Sequence, residues 1–185
     1  LSGDVAPSGR FTDTIAENIE DYPSTQNFGG KECNIQQEDI YVGYRYFETF
    51  AKDRVLYPFG FGLSYTSFKM DGRKFHYDPA SGIELEVRVE NTGKTAAKEV
   101  IQLYIEAPQG QLGKPSCALV GFAKNETIAA GSCACPAFAI SNYAMASYDD
   151  SGASGHKSAY VMEAGQYVLY PSIHSLSHLF IPWLV

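Results

Sequence analysis

Ile83, Leu85, Val87 and Val89 alternate with Glu84, Glu86, Arg88 and Glu90. A period of two puts every apolar side chain on one face and every charged one on the other, which describes a strand with one buried and one wetted side. A sheet must therefore supply the core. Asn91-Thr92-Gly93-Lys94 reads as a turn whose Asn and Gly tolerate positive φ. The run from Glu99 to Glu106 alternates again, with Ile101, Leu103 and Ile105 inward and Gln102 outward.

Further strands are expected at Ala118 to Ile128, at Ala134 to Ile140 with Phe138 and Ile140 inward, at Ser158 to Met162, and at Tyr167 to Pro171. Turn residues such as Ala129-Ala130-Gly131-Ser132 punctuate them. The 13 Tyr and 11 Phe suit strands better than helices, and the only helix expected here is a single turn within Ser141 to Tyr148. Short strands at this spacing predict an all-β, antiparallel sandwich.

Residues 1–62 read differently. Ala6-Pro7-Ser8-Gly9, Tyr22-Pro23-Ser24 and Phe28-Gly29-Gly30 are turn formers, and one regular segment, Asp39 to Phe50, fits a strand. So much loop before one strand is abnormal in a compact domain, and such a segment is expected to wrap around something else. The division is thus a loop-rich extension at 1–62 and a sandwich at 63–185.

Two blocks carry a resemblance. Tyr41-Val42-Gly43-Tyr44-Arg45-Tyr46-Phe47 is followed by Leu56-Tyr57-Pro58-Phe59-Gly60-Phe61-Gly62-Leu63-Ser64-Tyr65-Thr66, with Gly3-Asp4-Val5-Ala6-Pro7-Ser8-Gly9-Arg10 upstream. The second block is Val89-Glu90-Asn91-Thr92-Gly93-Lys94 through Glu99-Val100-Ile101-Gln102-Leu103-Tyr104, then Leu119-Val120-Gly121-Phe122 and Met162-Glu163-Ala164-Gly165-Gln166-Tyr167. Together they resemble the C-terminal portion of family-3 glycoside hydrolases, where an α/β-sandwich domain joins a fibronectin type III-like domain. Ser172 to Val185 matches least well. The resemblance implies that residues 1–62 are the tail of a truncated α/β-sandwich domain. It also implies that the parent is a retaining β-glycosidase, of the β-glucosidase kind, hydrolysing O-glycosidic bonds with two carboxyl groups. In the family the nucleophilic Asp lies in a barrel, and the acid/base Glu lies before the segment matching Gly3 to Arg10. The resemblance therefore assigns no catalytic, cofactor-binding or metal-binding residue here, and no cofactor.

The remaining candidates have plain readings. A net charge of −7 with no basic run excludes a nucleic-acid partner, and no apolar stretch is long enough to span a bilayer. Cys33, Cys117, Cys133 and Cys135 are expected to be free thiols, with a disulfide of Cys33 or Cys117 as the alternative in an oxidising compartment. Glu17, Glu20 and Asp21, and the pair Asp149 and Asp150, are expected to form solvated acidic faces rather than a catalytic dyad. His76, His156, His174 and His178 are scattered surface residues, and Asn125-Glu126-Thr127 matches a glycosylation acceptor. The start at Leu1, with neither Met nor a basic-then-apolar leader, suits a processed or internal boundary and leaves cytoplasmic and secreted locations both open.

Two functional readings follow. In the first, the sandwich is a scaffold whose partners are the other domains of a glycosidase. Tyr44, Tyr46 and Phe47 then serve interdomain packing, and exposed apolar surface on residues 1–62 invites self-association. In the second, the chain is a stand-alone carbohydrate-binding or adhesive module in which Tyr104, Tyr143, Tyr148 and Tyr160 form a stacking face.

Overall fold

The computed structural model describes residues 2–172 and the backbone of 181–184. In the N-terminal segment, β1 (Ile15–Ala16) precedes α1 (Tyr44–Phe50), and β2 (Val55–Tyr57) returns to pair with β1. Then come β3 (Phe68–Asp78), β4 (Gly82–Asn91), β5 (Val100–Glu106) and β6 (Ala118–Lys124). The short β7 (Cys133–Ala134) and β8 (Ala137–Ile140) lead into the one-turn α2 (Asn142–Met145). A small hairpin of β9 (Ser147–Asp149) and β10 (Ala159–Val161) precedes β11 (Gln166–Pro171) and β12 (Ile181–Leu184).

Two antiparallel sheets form the sandwich. In one, β4 lies between β3 and the pair β7 and β8; the other runs β12-β11-β5-β6. The predicted all-β sandwich is observed, and its core follows the period-two pattern. Ile83, Leu85, Val87 and Val89 of β4 face Ile101, Leu103 and Ile105 of β5, with Tyr167 and Leu169 of β11 and Ile140 of β8 closing the layer. Ser158 to Met162 does form a strand, β10, but it pairs with β9 outside both large sheets.

The Asn91-Thr92-Gly93 turn is structural for a different reason from the one expected. Asn91 is wholly buried, donating from Nδ2 to the Thr95 and Ile128 carbonyls (2.9 Å each) and accepting from Thr66 Oγ1 (2.6 Å) and Gly93 N (3.1 Å). One side chain thus ties three stretches of chain together at the sandwich end. Gly93 has no positive φ; its need is space, because a Cβ there would collide with Thr66 Oγ1.

Two expectations are corrected. Residues 44–50 are a helix, not a strand. Tyr44, Phe47 and Ala51 fall at i, i+3 and i+7 and so share one helical face, although Tyr44 and Tyr46 also continue the alternation of Ile40 and Val42. That face buries Phe47 and Ala51 against Ala16, Tyr22, Tyr46 and Val55. Gln102 is not outward into water. It is buried together with Tyr104, so β5 is covered on both faces.

Candidate functional site

The cover over the outer face of β5 is the N-terminal segment, and this seam is the most built surface in the molecule. The Tyr44 ring of α1 meets Phe59 at 4.8 Å and Tyr104 at 6.0 Å edge-on, and Tyr170 stacks on Tyr104 at 6.1 Å. Tyr104 is wholly buried, and burial drives its phenol far above the ordinary tyrosine range. The Tyr44 hydroxyl accepts from Leu119 N (2.8 Å), and Thr49 Oγ1 accepts from Ser116 N (2.9 Å). At the other end of the seam Arg10 forms an ion pair with Glu99, its Nε donating at 3.0 Å, and Arg10 Nη1 donates to the Gly62 carbonyl (3.0 Å). Gly60 sits between, at φ 81°, where a Cβ would run into Gln102 Oε1. Gly60 therefore lets backbone lie directly on the strand, while Gly62 makes room for the Gly9 carbonyl and the Arg10 side chain. Phe61 itself closes a cluster with Phe11 (5.8 Å) and Tyr57 (5.1 Å).

Beyond the seam the segment leaves apolar side chains in the open, as expected. Phe28 is 91% exposed, Ile19 69%, Ile35 62% and Phe50 61%. Between them lies a cleft of about 470 Å³ lined by Glu20, Asp21, Glu38, Tyr41, Tyr46 and Phe50. Asp21 is engaged there, accepting from Asn18 N (3.0 Å) and facing Arg54 at 3.8 Å. Glu17 is exposed and does not line the cleft.

The pair Asp149 and Asp150 does not form the expected solvated face. Asp150 is exposed, but Asp149 is wholly buried. Its oxygens accept from Ser154 Oγ (2.7 Å) and N (2.8 Å), Gly152 N (2.7 Å), Ser151 Oγ (3.1 Å) and Ala153 N (3.2 Å). These bonds, led by the Ser154 hydroxyl, hold the carboxyl well below the usual range. A carboxylate so held organises a loop and has no proton to give. Glu163 is likewise committed: burial pushes its pKa up, but Lys114 and the Gln111 and Leu112 amides outweigh this and leave it lowered.

All four cysteines are free; Cys117 is buried, and burial beside Glu48 raises its thiol to about 11. Cys33, Cys133 and Cys135 are exposed. His76 and His156 are exposed, while His174 and His178 lie outside the described residues. Among the described residues no three His, Cys, Asp or Glu side chains converge on a metal site. No described helix is long and apolar enough to cross a membrane. Asn125 is not presented for glycosylation, because its side chain is buried with Oδ1 accepting from Glu99 N (2.8 Å).

The proposed stacking face is divided by the structure. Tyr104 cannot belong to it, since the N-terminal segment seals that ring. Tyr143, Tyr148 and Tyr160 do come together at the surface, with ring centroids 4.4 Å and 5.1 Å apart.

Residues 99–172, from the start of β5 to just past β11, match the fibronectin type III-like domain. The chain is 47% identical to a β-glucosidase of Ruminococcus albus over 172 residues, covering 92% of this chain and 18% of that protein. It is 45% identical to β-glucosidase A of Butyrivibrio fibrisolvens over 184 residues, covering 90% and 22% respectively. A solved β-glucosidase from Paenibacillus barengoltzii superposes with a TM-score of 0.90 at 51% identity, covering 100% of this chain and 20% of that one. The chain thus spans about a fifth of the length of these relatives. It belongs to glycoside hydrolase family 3, over a stretch that includes the fibronectin type III-like domain.

Proposed function

We propose that this chain is the non-catalytic C-terminal part of a retaining β-glycosidase, a β-glucosidase, in which the sandwich buttresses the end of the preceding domain. Residues 1–62 are then the tail and linker of an α/β-sandwich domain, and residues 63–185 the fibronectin type III-like domain. The observation that carries this reading is the double burial of β5. Its inner face builds the sandwich core, while Gln102 and Tyr104 on its outer face hold the segment that contains α1. The exposed Ile19, Phe28, Ile35 and Phe50 face away from any core of this chain and suit contact with the rest of a parent enzyme. Retaining hydrolysis needs a nucleophilic carboxylate and a carboxylic acid about 5–5.5 Å apart. The buried Asp149 and Glu99 and the half-buried Glu163 are instead tied down, Asp149 by its loop, Glu99 by Arg10 and Glu163 by Lys114.

Incubating the chain with an aryl β-glucoside should release no more aglycone than buffer does, whereas the parent enzyme should turn it over. Turnover by the chain alone, abolished by changing a single acid, would overturn the proposal.

A further inference from the structure

Tyr143, Tyr148 and Tyr160 stand apart from everything the scaffold requires. They are 64%, 52% and 53% exposed, and none belongs to the sandwich core. Leaving three aromatic rings side by side in water is unfavourable, and contiguous patches of this kind mark binding surfaces. We propose that these three tyrosines form a secondary binding site for short, soluble β-linked gluco-oligosaccharides.

The rings are held by rigid neighbours on both sides. Tyr148 and Tyr160 are direct cross-strand partners in the β9–β10 hairpin, next to the pair Asp149 and Ala159. Asp149 pins the loop from Ser151 to Ser154 with five hydrogen bonds. On the other side, Tyr143 rides on α2, which Ser141 caps at its start and which the buried Met145 anchors in the core. Asn142 Nδ2 donates to the Pro79 carbonyl (2.8 Å), tying α2 to the β3–β4 turn. The N-terminal segment docks on the other sheet, so it does not compete for this surface. A ligand arriving here finds rings already in place and has little ordering to oppose.

The chemistry of the patch selects a sugar. Tyrosine offers an apolar ring face with a hydroxyl at its edge, an amphipathic surface suited to ligands that are apolar on one side and polar at the rim. A pyranose with equatorial hydroxyls has that form, since its axial C–H groups make an apolar face ringed by donors and acceptors. Ser158 immediately precedes β10, and among the described residues no ion pair involves the patch, so a neutral ligand suits it better than a charged one. The planes tilt by 52° between Tyr143 and Tyr160 and by 60° between Tyr148 and Tyr160. Rings so inclined share no flat plane, which favours a free oligosaccharide that can turn between them over a crystalline face. The choice of β-linked glucose units rests on the β-glucosidase reading above.

Titration of the full chain with cellotetraose and with laminaritetraose, followed by two-dimensional NMR, tests the site. At least one should give saturable shifts, with a dissociation constant in the millimolar range, concentrated on residues 141–162. Tyr148→Ala combined with Tyr160→Ala should weaken binding at least about tenfold, by loss of two stacking contacts. Tyr148→Phe with Tyr160→Phe should retain most of it, which separates stacking from a folding defect. No saturable shift with either sugar, shifts elsewhere on the chain, or binding indifferent to the alanine pair would overturn the site. None of these outcomes touches the parent reading, which fails only on glycoside hydrolysis.

Discussion

The sandwich and the N-terminal segment are built on different scales. The sandwich closes on a continuous cluster in which Val87, Val89, Ile101 and Leu103 have no exposure at all. Among the described residues, the segment has only Ala16, Phe47 and Ala51 as buried apolar residues, and a two-residue strand pair, yet it carries most of the exposed large hydrophobics. So small a core does not hold so long a stretch by itself. The segment's order is therefore lent by the outer face of β5, while its remaining apolar surface stays exposed. The seam is where this dependence is easiest to break.

Tyr104→Ala should have the largest effect. It removes a fully buried ring that Tyr44 and Tyr170 both pack against, and truncations of that size cost about 3–5 kcal/mol. Chemical denaturation measures the loss. Limited proteolysis gives its direction: cleavage should appear first between α1 and β1, while the sandwich strands stay protected. If both regions are cleaved together, they form one cooperative unit and the comparison above fails.

Arg10→Ala should act at the far end of the same seam with a smaller effect. It leaves the carboxylate of Glu99, 6% exposed, without its guanidinium partner, and hydrogen bonds to charged groups contribute about 1.5–3 kcal/mol. Hydrogen exchange should quicken at Phe11 and Gly60, whose amides donate to Phe61 and Phe11 carbonyls (2.8 Å each), with little change in β4.

The difference between the regions also decides what could be read from the sequence. The β4 pattern was legible because one face meets the core and the other meets water. On β5 the same logic placed Gln102 in solvent and offered Tyr104 as a surface ring, because nothing in a local period reveals cover supplied from about forty to sixty residues upstream, by Gly60 and Tyr44. The strand expected at 39–50 failed for a related reason. Ile40, Val42, Tyr44 and Tyr46 satisfy a period of two, while Tyr44, Phe47 and Ala51 satisfy a period of 3.6, and so short a window does not separate the two. Asp149-Asp150 looked solvated, yet the small residues Ser151-Gly152-Ala153-Ser154 that follow are the donors an Asp needs to organise a loop. Of the four candidate stacking tyrosines, the three in the β8–β11 connection are at the surface, since no distant segment among the described residues packs over them.

Acid should act on the sandwich loops through Asp149 and Glu163. Both have folded pKa values below their ordinary ones, so each adds stability above the ordinary carboxylate range near pH 4 and loses it as pH falls through the lowered folded value. Thermal stability should stay level from neutral pH to about pH 5, then decline. Asp149→Asn should flatten the acid limb while lowering stability at neutral pH. A wild-type profile that declines already between pH 7 and 6 would point to other groups.

The smallest effect on stability is expected at the exposed tyrosines, where a null result is informative. Tyr148→Ala removes a ring that is 52% exposed and absent from the core, and surface changes of this kind stay within about 0.5 kcal/mol. Tyr104→Ala removes the same atoms from the seam at several times the cost. Measuring both in one denaturation series compares one residue type in two settings: a ring that holds two parts of the chain together, and a ring the fold leaves free. If Tyr148→Ala proves as costly as Tyr104→Ala, the β9–β10 hairpin is a structural brace and its exposed aromatics are explained without a ligand. If the loss stays within experimental error, stability gives no reason for three adjacent rings to remain in water, and the reason must be sought in what binds to them.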